Sequence, residues 1–424
     1  MKLARATNQS GPDLRKPSAP ESGREAGWRP RRKYSSCFAT ALLTALTCLG
    51  AADTPRAVPV TERFPDFSWD RVPLYMHIRK STGFTPEELR YLAGFPLITF
   101  EKTTGATDSG STEKGTLEAA RGVKRLNPAA KILYYRNVIV HYGSYAANAP
   151  LAVIPDPFLL SHDGRGKLVR NTVEAYDLTN PKLRDWWVEN ARQVCADPAI
   201  DGVFLDGNVK VLEPGYLRKD LGPERKQAVV DGYHAMMAAT RVALGPKKLM
   251  VANLVRARFP AAGLDSLGAF DGSYFEGFET TVGTIPREEY VAKGIAAAQE
   301  AARRGTIVAF TVGMGKLAEG ETGNAQLTDE IRNRATSEAE TQRRLTYCLA
   351  LFLICAEKYS YFLAHDGYDA TRSSTWLKRP PEFERPLGPP TGKAQREGYL
   401  YTRDFRQASV WLDVKNEQAR ITWH

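Results

Sequence analysis

Two carboxylates in the sequence each follow a short apolar run that has the pattern of a buried β-strand. The stretch DGVFLDGN at 201–208 brings such a run to an end on Asp206, and SYFEGFE at 273–279 places Glu276 behind two aromatic residues. In barrels of parallel strands the chemistry lies at the carboxyl ends of the strands, so both are candidate catalytic residues. The structural alternatives are an Asp-Gly turn at Asp206 and an arginine ion pair that closes a loop at Glu276, with Glu279 as a second nearby carboxylate.

Two carboxylates that face one mouth can divide the labour of glycoside hydrolysis. One protonates the departing oxygen, and the other attacks the sugar or activates water. The proton donor needs a raised pKa, and the aromatic neighbours Tyr274 and Phe278 fit that need at Glu276. Asp206 is followed by a glycine and by Asn208, which suits a carboxylate that backbone and amide donors keep ionised.

The elements that must position these residues form a repeating pattern from residue 72 onward. Short apolar runs alternate with amphipathic stretches, which is typical of β/α units around a parallel sheet. The predicted strands are 72–78, 96–100, 131–137, a fourth starting at 202, 249–253, 272–275, 306–310 and 360–364. Eight units in roughly 300 residues predict an α/β fold of the (β/α)8 TIM barrel type. A doubly wound open sheet is the main alternative.

The whole chain divides into five predicted segments. Residues 1–52 are a basic leader and signal peptide, 53–71 a linker, 72–366 the (β/α)8 barrel, and 367–397 a Pro-rich connection. Residues 398–424 alternate apolar and polar side chains, which predicts a small C-terminal antiparallel β appendage.

The leader has the layout of a secretory signal. A cluster of basic residues at 29–33 precedes the apolar stretch 38–49 and the small residues 50–52. Because the apolar run is too short for a comfortable membrane span, we expect cleavage near Ala52, a secreted or periplasmic bacterial protein, and no stable membrane insertion afterwards. A lipoprotein acylated at Cys48 is less favoured, because Thr47 is a poor fit to the small residue expected there.

Charge and cysteine usage argue against several function classes. The net charge is +10, of which residues 1–52 carry +6, and the remainder has no dense basic patch with interleaved aromatics, so nucleic acid is not an expected partner. Of Cys195, Cys348 and Cys355, the last two are predicted core residues on an apolar helical pattern, and no disulfide framework is visible. The six histidines do not cluster as zinc ligands and no nucleotide-binding motif is present, so no metal and no cofactor are expected. The oligomeric state is left open.

Further polar and aromatic side chains near strand ends are candidate contacts for sugar hydroxyls or pyranose faces, although each could instead be structural. These predicted substrate-binding residues are His77, Glu101, Tyr135, Arg136, Asn137, Asn208, Asn253, Tyr274 and His365. The long segment 138–177 leaves the active end of the third strand, and long loops in compact domains are usually functional. We expect it to shape the subsites together with residues 316–333.

One stretch of the sequence carries a family resemblance. YDLTNPKLRDWW followed by IDGVFLDGN resembles the barrels of retaining alpha-glucosidases and alpha-galactosidases, in which an Asn-Pro helix with a Trp pair precedes the strand of the nucleophilic Asp. Over residues 72–424 the chain looks like the hypothetical glycoside hydrolase families of exported bacterial barrels related to endo-alpha-1,4-polygalactosaminidases. The resemblance implies that Asp206 is the nucleophile and Glu276 the acid/base, since the related clan places its pair on strands four and six.

The sequence thus predicts a glycoside hydrolase that acts on a polysaccharide or oligosaccharide. The competing class is a non-catalytic barrel that binds glycan at the same mouth. A lyase, which gives an unsaturated product, and a deacetylase, which releases acetate, are further alternatives.

Overall fold

Eight parallel strands surround the centre of the molecule in a computed structural model that describes residues 60–279, 281, 284–314, 338–373 and 375–424. The strands pair in chain order, each with the next. They are β1 (Met76–Ile78), β2 (Leu97–Phe100), β3 (Lys131–Asn137), β4 (Gly202–Asp206), β5 (Leu249–Asn253), β6 (Gly272–Phe275), β7 (Ile307–Gly313) and β8 (Ser360–His365). The predicted leader and the segment 316–333 lie outside the described residues.

The first and last strands meet through the residues just before β1. Leu74 forms a parallel bridge with Phe362, and the Phe362 N–H donates to the Pro73 carbonyl at 2.8 Å. The sheet therefore closes into a barrel, which confirms the (β/α)8 prediction over the open sheet. The predicted first strand, 72–78, is regular only at Met76–Ile78, and the seventh continues beyond its predicted end to Gly313.

Helices lie outside the barrel and connect its strands. They are α1 (Val60–Arg63), α2 (Pro86–Leu92), α3 (Ala106–Ser109), α4 (Thr112–Leu126), α5 (Pro181–Cys195), α6 (Asn208–Leu212), α7 (Arg218–Leu221), α8 (Pro223–Leu244), α9 (Arg287–Arg303) and α10 (Glu338–Cys355). Short 3₁₀ helices occupy Ala146–Val153, Leu267–Ala269 and Pro381–Glu384.

The start of α5 shows how the local sequence sets an element boundary. The Asn180 side chain accepts a hydrogen bond from the Lys182 N–H at 3.0 Å, and Pro181 occupies the first helical position, where its missing N–H costs nothing. A short connection, 196–201, leads from the end of α5 into β4, the strand that carries Asp206. Cap and strand together fix the position of that residue in the barrel.

The three cysteines of the described part, Cys195, Cys348 and Cys355, are buried free thiols, which confirms the predicted core positions of Cys348 and Cys355. The apolar run at 349–356, which ends α10, is buried. Within the described ranges, the structure contains no helix that is both long and apolar enough to cross a membrane.

A separate four-stranded antiparallel sheet follows the barrel. It consists of β9 (Gln395–Glu397), β10 (Leu400–Phe405), β11 (Ala408–Asp413) and β12 (Gln418–Trp423), with β9 and β12 at the edges. The predicted β appendage is thereby confirmed.

A buried arginine joins this sheet to the end of α10. Arg403 on β10 donates to the carbonyls of Leu353 at 3.1 Å and of Ala356, and it pairs with Glu357 at 2.8 Å. The last carbonyls of a helix have no partner within the helix, so a cation there supplies both hydrogen bonds and favourable charge.

We expect Arg403→Met to lower the free energy of unfolding by about 2–4 kcal/mol, because several buried acceptors lose their donor. Urea unfolding of the full chain measures the change. Arg420→Met, which removes an exposed arginine from β12, is the matched control and should stay within about 0.5 kcal/mol of the parent. Equal losses in both variants would contradict the role of Arg403.

Candidate active site

The carboxyl end of β4 places Asp206 at the mouth of the barrel. Side chains two apart on a strand share a face, and Phe204 packs inside the barrel against Tyr135 and Tyr274. Asp206 therefore points to the same interior. Gly207 follows with a φ of 82°, and a Cβ on it would lie 2.5 Å from the Asn137 side-chain oxygen, so only glycine fits this turn.

Three side chains donate hydrogen bonds to the Asp206 carboxylate. The Tyr135 hydroxyl donates to Oδ2 at 2.6 Å, and the Asn137 amide donates to the same oxygen at 3.1 Å. The Asn253 amide donates to Oδ1 at 3.1 Å. The amide of Asn137 is itself oriented, because its oxygen accepts from the Val140 N–H at 2.7 Å. Asp206 is thus held in one orientation by residues from β3 and β5.

These donors set the charge state of Asp206. Burial raises its pKa, but the hydrogen bond from Tyr135 and the charges of Lys210 and Lys102 lower it further, so the net pKa lies below the ordinary value. A carboxylate in this environment is ionised at neutral pH.

We expect Tyr135→Phe to move the acid limb of the kcat/KM profile to higher pH. Loss of the hydroxyl raises the pKa of Asp206, so the ionised form is lost at a higher pH as the solution is acidified. Loss of the orienting hydrogen bond should also lower kcat/KM at neutral pH by about three- to tenfold. The pH dependence of initial rates measures both effects.

Tyr134→Phe is the matched control, because the Tyr134 hydroxyl faces away from the barrel interior and donates to Asn190 at 3.1 Å. An acid limb that moves equally in both variants, or in neither, would contradict the assigned role of Tyr135.

Glu276 directly follows β6 and shares the mouth with Asp206. Its Oε2 accepts from the Asn253 amide at 3.2 Å and from Arg256 at 3.3 Å, and its Oε1 accepts from the Tyr368 hydroxyl at 3.3 Å. Its side chain is 33% exposed, which leaves it accessible to a ligand. Glu276 contacts Arg256, as the alternative of a loop-closing ion pair requires, but it also accepts a hydrogen bond from Asn253, which contacts Asp206 as well.

One amide nitrogen connects the two carboxylates. Asn253 Nδ2 donates to Asp206 Oδ1 at 3.1 Å and to Glu276 Oε2 at 3.2 Å, so these oxygens are at most about 6.3 Å apart. Asn253 was predicted as a substrate contact. Its amide N–H groups are instead shared between the two acids, which fixes their separation.

The nearby carboxylate Glu279 has a different environment. It forms a bidentate ion pair with Arg344 of α10. Glu279 therefore anchors the segment after β6, and the structure separates it from the Asp206 and Glu276 pair.

Several other predicted residues form a buried layer inside the barrel. The His77 ring packs against Tyr274 and Tyr368, with centroids 5.2 and 5.0 Å apart, and His365 stacks on Tyr368 at 4.2 Å. The Tyr274 hydroxyl bonds that of Tyr368 at 2.5 Å, and Tyr368 in turn donates to Glu276. This layer is connected to the carboxylate pair through Tyr368.

Burial and the neighbouring His77 lower the pKa of His365 to about 3, so this ring is neutral. Its Nδ1 accepts from the Gly367 N–H at 3.1 Å, which leaves the proton on Nε2.

Glu101 at the end of β2 is the anionic member of this layer. It pairs with Arg79 at 2.7 Å and with Lys102, and its oxygen lies 3.8 Å from His77 Nε2. Burial raises the pKa of Glu101, and Lys102, His77 and Arg79 together lower it well below its ordinary value. Glu101 is therefore an ionised group with its own cations.

Two predicted substrate contacts lie elsewhere. Arg136 is one residue out of phase with Tyr135 and Asn137, so it faces the helix layer, where its guanidinium lies 5.3 Å from the rings of Trp186 and Trp187. A one-residue shift along a strand exchanges its faces. The expectation of a sugar contact for Arg136 does not fit this position.

Asn208 is fully buried behind the mouth. Its amide donates to the Leu205 carbonyl at 2.7 Å, and its oxygen accepts from the Tyr233 hydroxyl at 2.8 Å. It ties the start of α6 to β4 and α8, so the structure corrects the expected substrate contact to a structural one.

The structure adds three residues that sequence reasoning missed. Lys210, Arg256 and Tyr368 all act on the carboxylate pair by charge or hydrogen bond. Lys210 and Arg256 each stand three or four residues after a strand-end site residue, which was the available sequence signal. Tyr368 falls in the stretch predicted as a Pro-rich connection, where nothing local indicates a role.

Within the described residues, no group of three or more His, Cys, Asp or Glu side chains could hold a metal ion.

Comparison with solved structures finds several glycoside hydrolases. The chain is similar to the glycoside hydrolase domain of PelA from Pseudomonas aeruginosa at 13% identity, with a TM-score of 0.38 over 57% of this chain and 83% of that one. An Anoxybacillus alpha-amylase is 9% identical, with a TM-score of 0.46 over 82% of this chain and 87% of that one. The galactosidase domain of the alpha-galactosidase-sucrose kinase AgaSK is 12% identical, with a TM-score of 0.47 over 80% of this chain and 46% of that one. At these scores the similarities carry no weight for the function of this chain.

No curated protein sequence matches the chain significantly. The family model described as hypothetical glycosyl hydrolase family 15 matches residues 124–409, about two thirds of the sequence, and spans β4, β6 and both carboxylates. The chain belongs to hypothetical glycosyl hydrolase family 15.

Proposed function

We propose that the protein hydrolyses the glycosidic bonds of a polysaccharide or oligosaccharide with Asp206 and Glu276 as its catalytic pair. The observation that carries the proposal is the Asn253 amide, which donates to both carboxylates at the mouth of the barrel. Two acids held at a fixed separation where strands end are what glycosidic cleavage needs. Membership of a glycosyl hydrolase family supports the same reaction class.

In the proposed first step, an Asp206 oxygen attacks the anomeric carbon while the bond to the departing oxygen breaks. Glu276 gives its proton to that oxygen, and a glycosyl ester with Asp206 forms. In the second step Glu276 takes a proton from water, the water oxygen attacks the anomeric carbon, and Asp206 leaves as a carboxylate. The lowered pKa of Asp206 favours its role as the nucleophile, because that role needs the ionised form.

We propose that the reaction retains the anomeric configuration, as the assignment of Asp206 as nucleophile requires. Retaining enzymes place the two carboxyl groups about 5–5.5 Å apart, and inverting enzymes about 6.5–9.5 Å apart to admit a water. The two oxygens that share Asn253 are at most about 6.3 Å apart, so the pair is close enough for the direct attack on which our proposal of retention rests.

The experiment that tests the proposal is product analysis with the purified full chain on a panel of alpha- and beta-linked oligosaccharides. Proton NMR of the first-formed sugar reports its anomeric configuration before mutarotation. Cleavage with retention supports the pair in its assigned roles, whereas inversion would require Asp206 to act as a base. Saturable glycan binding without cleavage would favour a non-catalytic binding barrel, and an unsaturated product would indicate a lyase.

A further inference from the structure

A cavity opens on the rim of the barrel mouth, where the segments that follow β1, β2 and β3 meet. Its walls come from residue 81, from residues within 103–110 and from 143–146. Its volume is about 380 Å³, and sites for small molecules commonly have about 300–1,000 Å³. Because the carboxyl ends of the strands share one end of the barrel, the cavity lies at the same end as Asp206.

Hydrogen bonds between the three segments build this cavity into the fold. The Thr107 N–H donates to the Ser81 carbonyl at 2.8 Å, and the Thr112 N–H donates to the Ser144 carbonyl at 2.9 Å. Thr103 has a φ of 70°, a left-handed conformation, and its N–H donates to the Thr112 hydroxyl at 3.2 Å. Backbone strain of this kind concentrates at ligand-binding sites. The walls are therefore fixed by contacts within the chain.

Four aliphatic hydroxyls line the cavity, those of Ser81, Thr103, Thr107 and Ser144. Within the described chain, the first three hydroxyls form no hydrogen bond. The Ser144 hydroxyl accepts from that of Thr112 at 2.8 Å, which leaves its own proton free to donate. The other described lining residues are glycines, alanines and one tyrosine, so none of them is charged. This lining suits a neutral ligand that is rich in hydroxyls.

A series of contacts connects the cavity to Asp206. Tyr145 forms part of the cavity wall, and its hydroxyl donates to the Tyr135 carbonyl at 3.1 Å. The hydroxyl of Tyr135 in turn donates to Asp206 at 2.6 Å. Gly143, also in the wall, directly follows Tyr142, whose ring centroid lies 6.5 Å from that of Tyr135. The partly exposed Tyr142 ring thus offers an apolar face for a sugar ring next to both the cavity and the carboxylate.

We propose that this cavity is a second sugar-binding site, which takes a neutral unit of the same glycan chain that is cleaved beside Asp206. The substrate is then a chain of several units rather than a disaccharide. The position of this unit relative to the cleaved bond rests on the proposed hydrolase function. The binding of sugar in the cavity does not, because it can be measured without turnover.

The test measures the binding of neutral gluco- and galacto-oligosaccharides, alpha- and beta-linked, from the disaccharide to the hexasaccharide. Calorimetry is performed on the full chain with Asp206→Asn, which prevents turnover. In at least one series we expect the affinity to rise about tenfold at the length that first reaches the cavity, because hydrogen bonds to its hydroxyls are added. This gain with length should not change with salt concentration, since no charge lines the cavity.

Gly143→Phe should fill the cavity. Gly143 is exposed, its backbone is not in the left-handed region, and a Cβ on it would meet no atom within 4 Å. We expect the variant to lose the gain with length and to bind the disaccharide as the parent does. Gly268→Phe is the matched control, because Gly268 has the same open surroundings but lies just before β6, at the other end of the barrel. This control should keep the full gain.

Thr107→Val tests the hydroxyls without filling the cavity. The side chain keeps its shape and loses its hydroxyl, so we expect the gain with length to fall by about two- to fivefold. Thr422→Val, at an exposed threonine of β12, is the control and should leave the gain unchanged. Circular dichroism shows whether Gly143→Phe is folded. The full gain in folded Gly143→Phe, or in Thr107→Val if Gly143→Phe is unfolded, would overturn the site.

The outcomes separate this proposal from the hydrolase function. A gain that depends on Gly143, without cleavage of any glycan by the chain with Asp206 intact, supports the cavity site and contradicts the hydrolase. Cleavage of glycans without a gain in any series overturns the cavity site and leaves the hydrolase standing. Equal loss of the gain in Gly268→Phe would show a general effect of the substitution and would also overturn the site.

Discussion

Asp206→Asn is expected to lower kcat by at least about a thousandfold on every glycan that the parent cleaves. The amide is not a nucleophile, so the covalent glycosyl intermediate cannot form. The substitution is nearly isosteric, but a side-chain amide presents N–H groups to the Tyr135, Asn137 and Asn253 donors where the carboxylate presents only acceptors. We therefore expect a modest fall in thermal stability alongside the loss of turnover.

Asp185→Asn is a matched control, because Asp185 is an exposed residue of α5. Circular dichroism and the unfolding midpoint establish that each variant is folded, and initial rates give kcat. A folded Asp206→Asn variant with more than a tenth of the parent activity would remove Asp206 from the catalytic pair. If the parent itself binds glycan without cleaving it, Asp206 is a residue of a binding barrel.

The loss of activity caused by Glu276→Gln should depend on the leaving group of the substrate, whereas the loss caused by Asp206→Asn should not. On a natural glycan, whose departing oxygen needs a proton, we expect kcat to fall by about 10²- to 10⁴-fold. On an aryl glycoside that releases an acidic phenol, bond cleavage needs no proton, so the glycosyl intermediate should still form. A burst of phenol followed by slow turnover would identify Glu276 as the group that also activates water in the second step.

The matched control lies three residues further along the same segment. Glu279→Gln breaks the bidentate pair with Arg344 and should reduce stability, but it should leave the dependence on the leaving group as in the parent. Equal losses on both substrate types in Glu276→Gln would contradict a role in proton transfer. If instead the activity lost in Glu279→Gln depended on the leaving group, the acid/base role would belong to Glu279.

The local sequence was sufficient to predict the framework of the barrel. An apolar run that stops abruptly on a carboxylate marks a strand and its end, and both Asp206 and Glu276 were located in this way. The Asn-Pro start of α5 was equally readable, since a cap depends on a few adjacent residues. These features are encoded locally, so their prediction needs no knowledge of distant contacts.

The orientation of the strand side chains was decided only in the folded molecule. A strand buried on both faces has no hydrophobic alternation, so the sequence KILYYRN does not show which residues face the interior. Tyr135 and Asn137 point to Asp206, whereas Arg136 packs on the tryptophans of α5. The contrasting roles of these neighbours follow from the pleat and from closure of the barrel.

Contacts between distant parts of the chain also required the tertiary structure. Tyr368 reaches Glu276 across 92 positions in sequence, and Asn253 joins two acids that are 70 residues apart. The sequence by itself indicated that the carboxylates Asp206 and Glu276 stand where strands four and six end. Only barrel closure determined which of them meet, because it brings the carboxyl ends of all eight strands to one mouth.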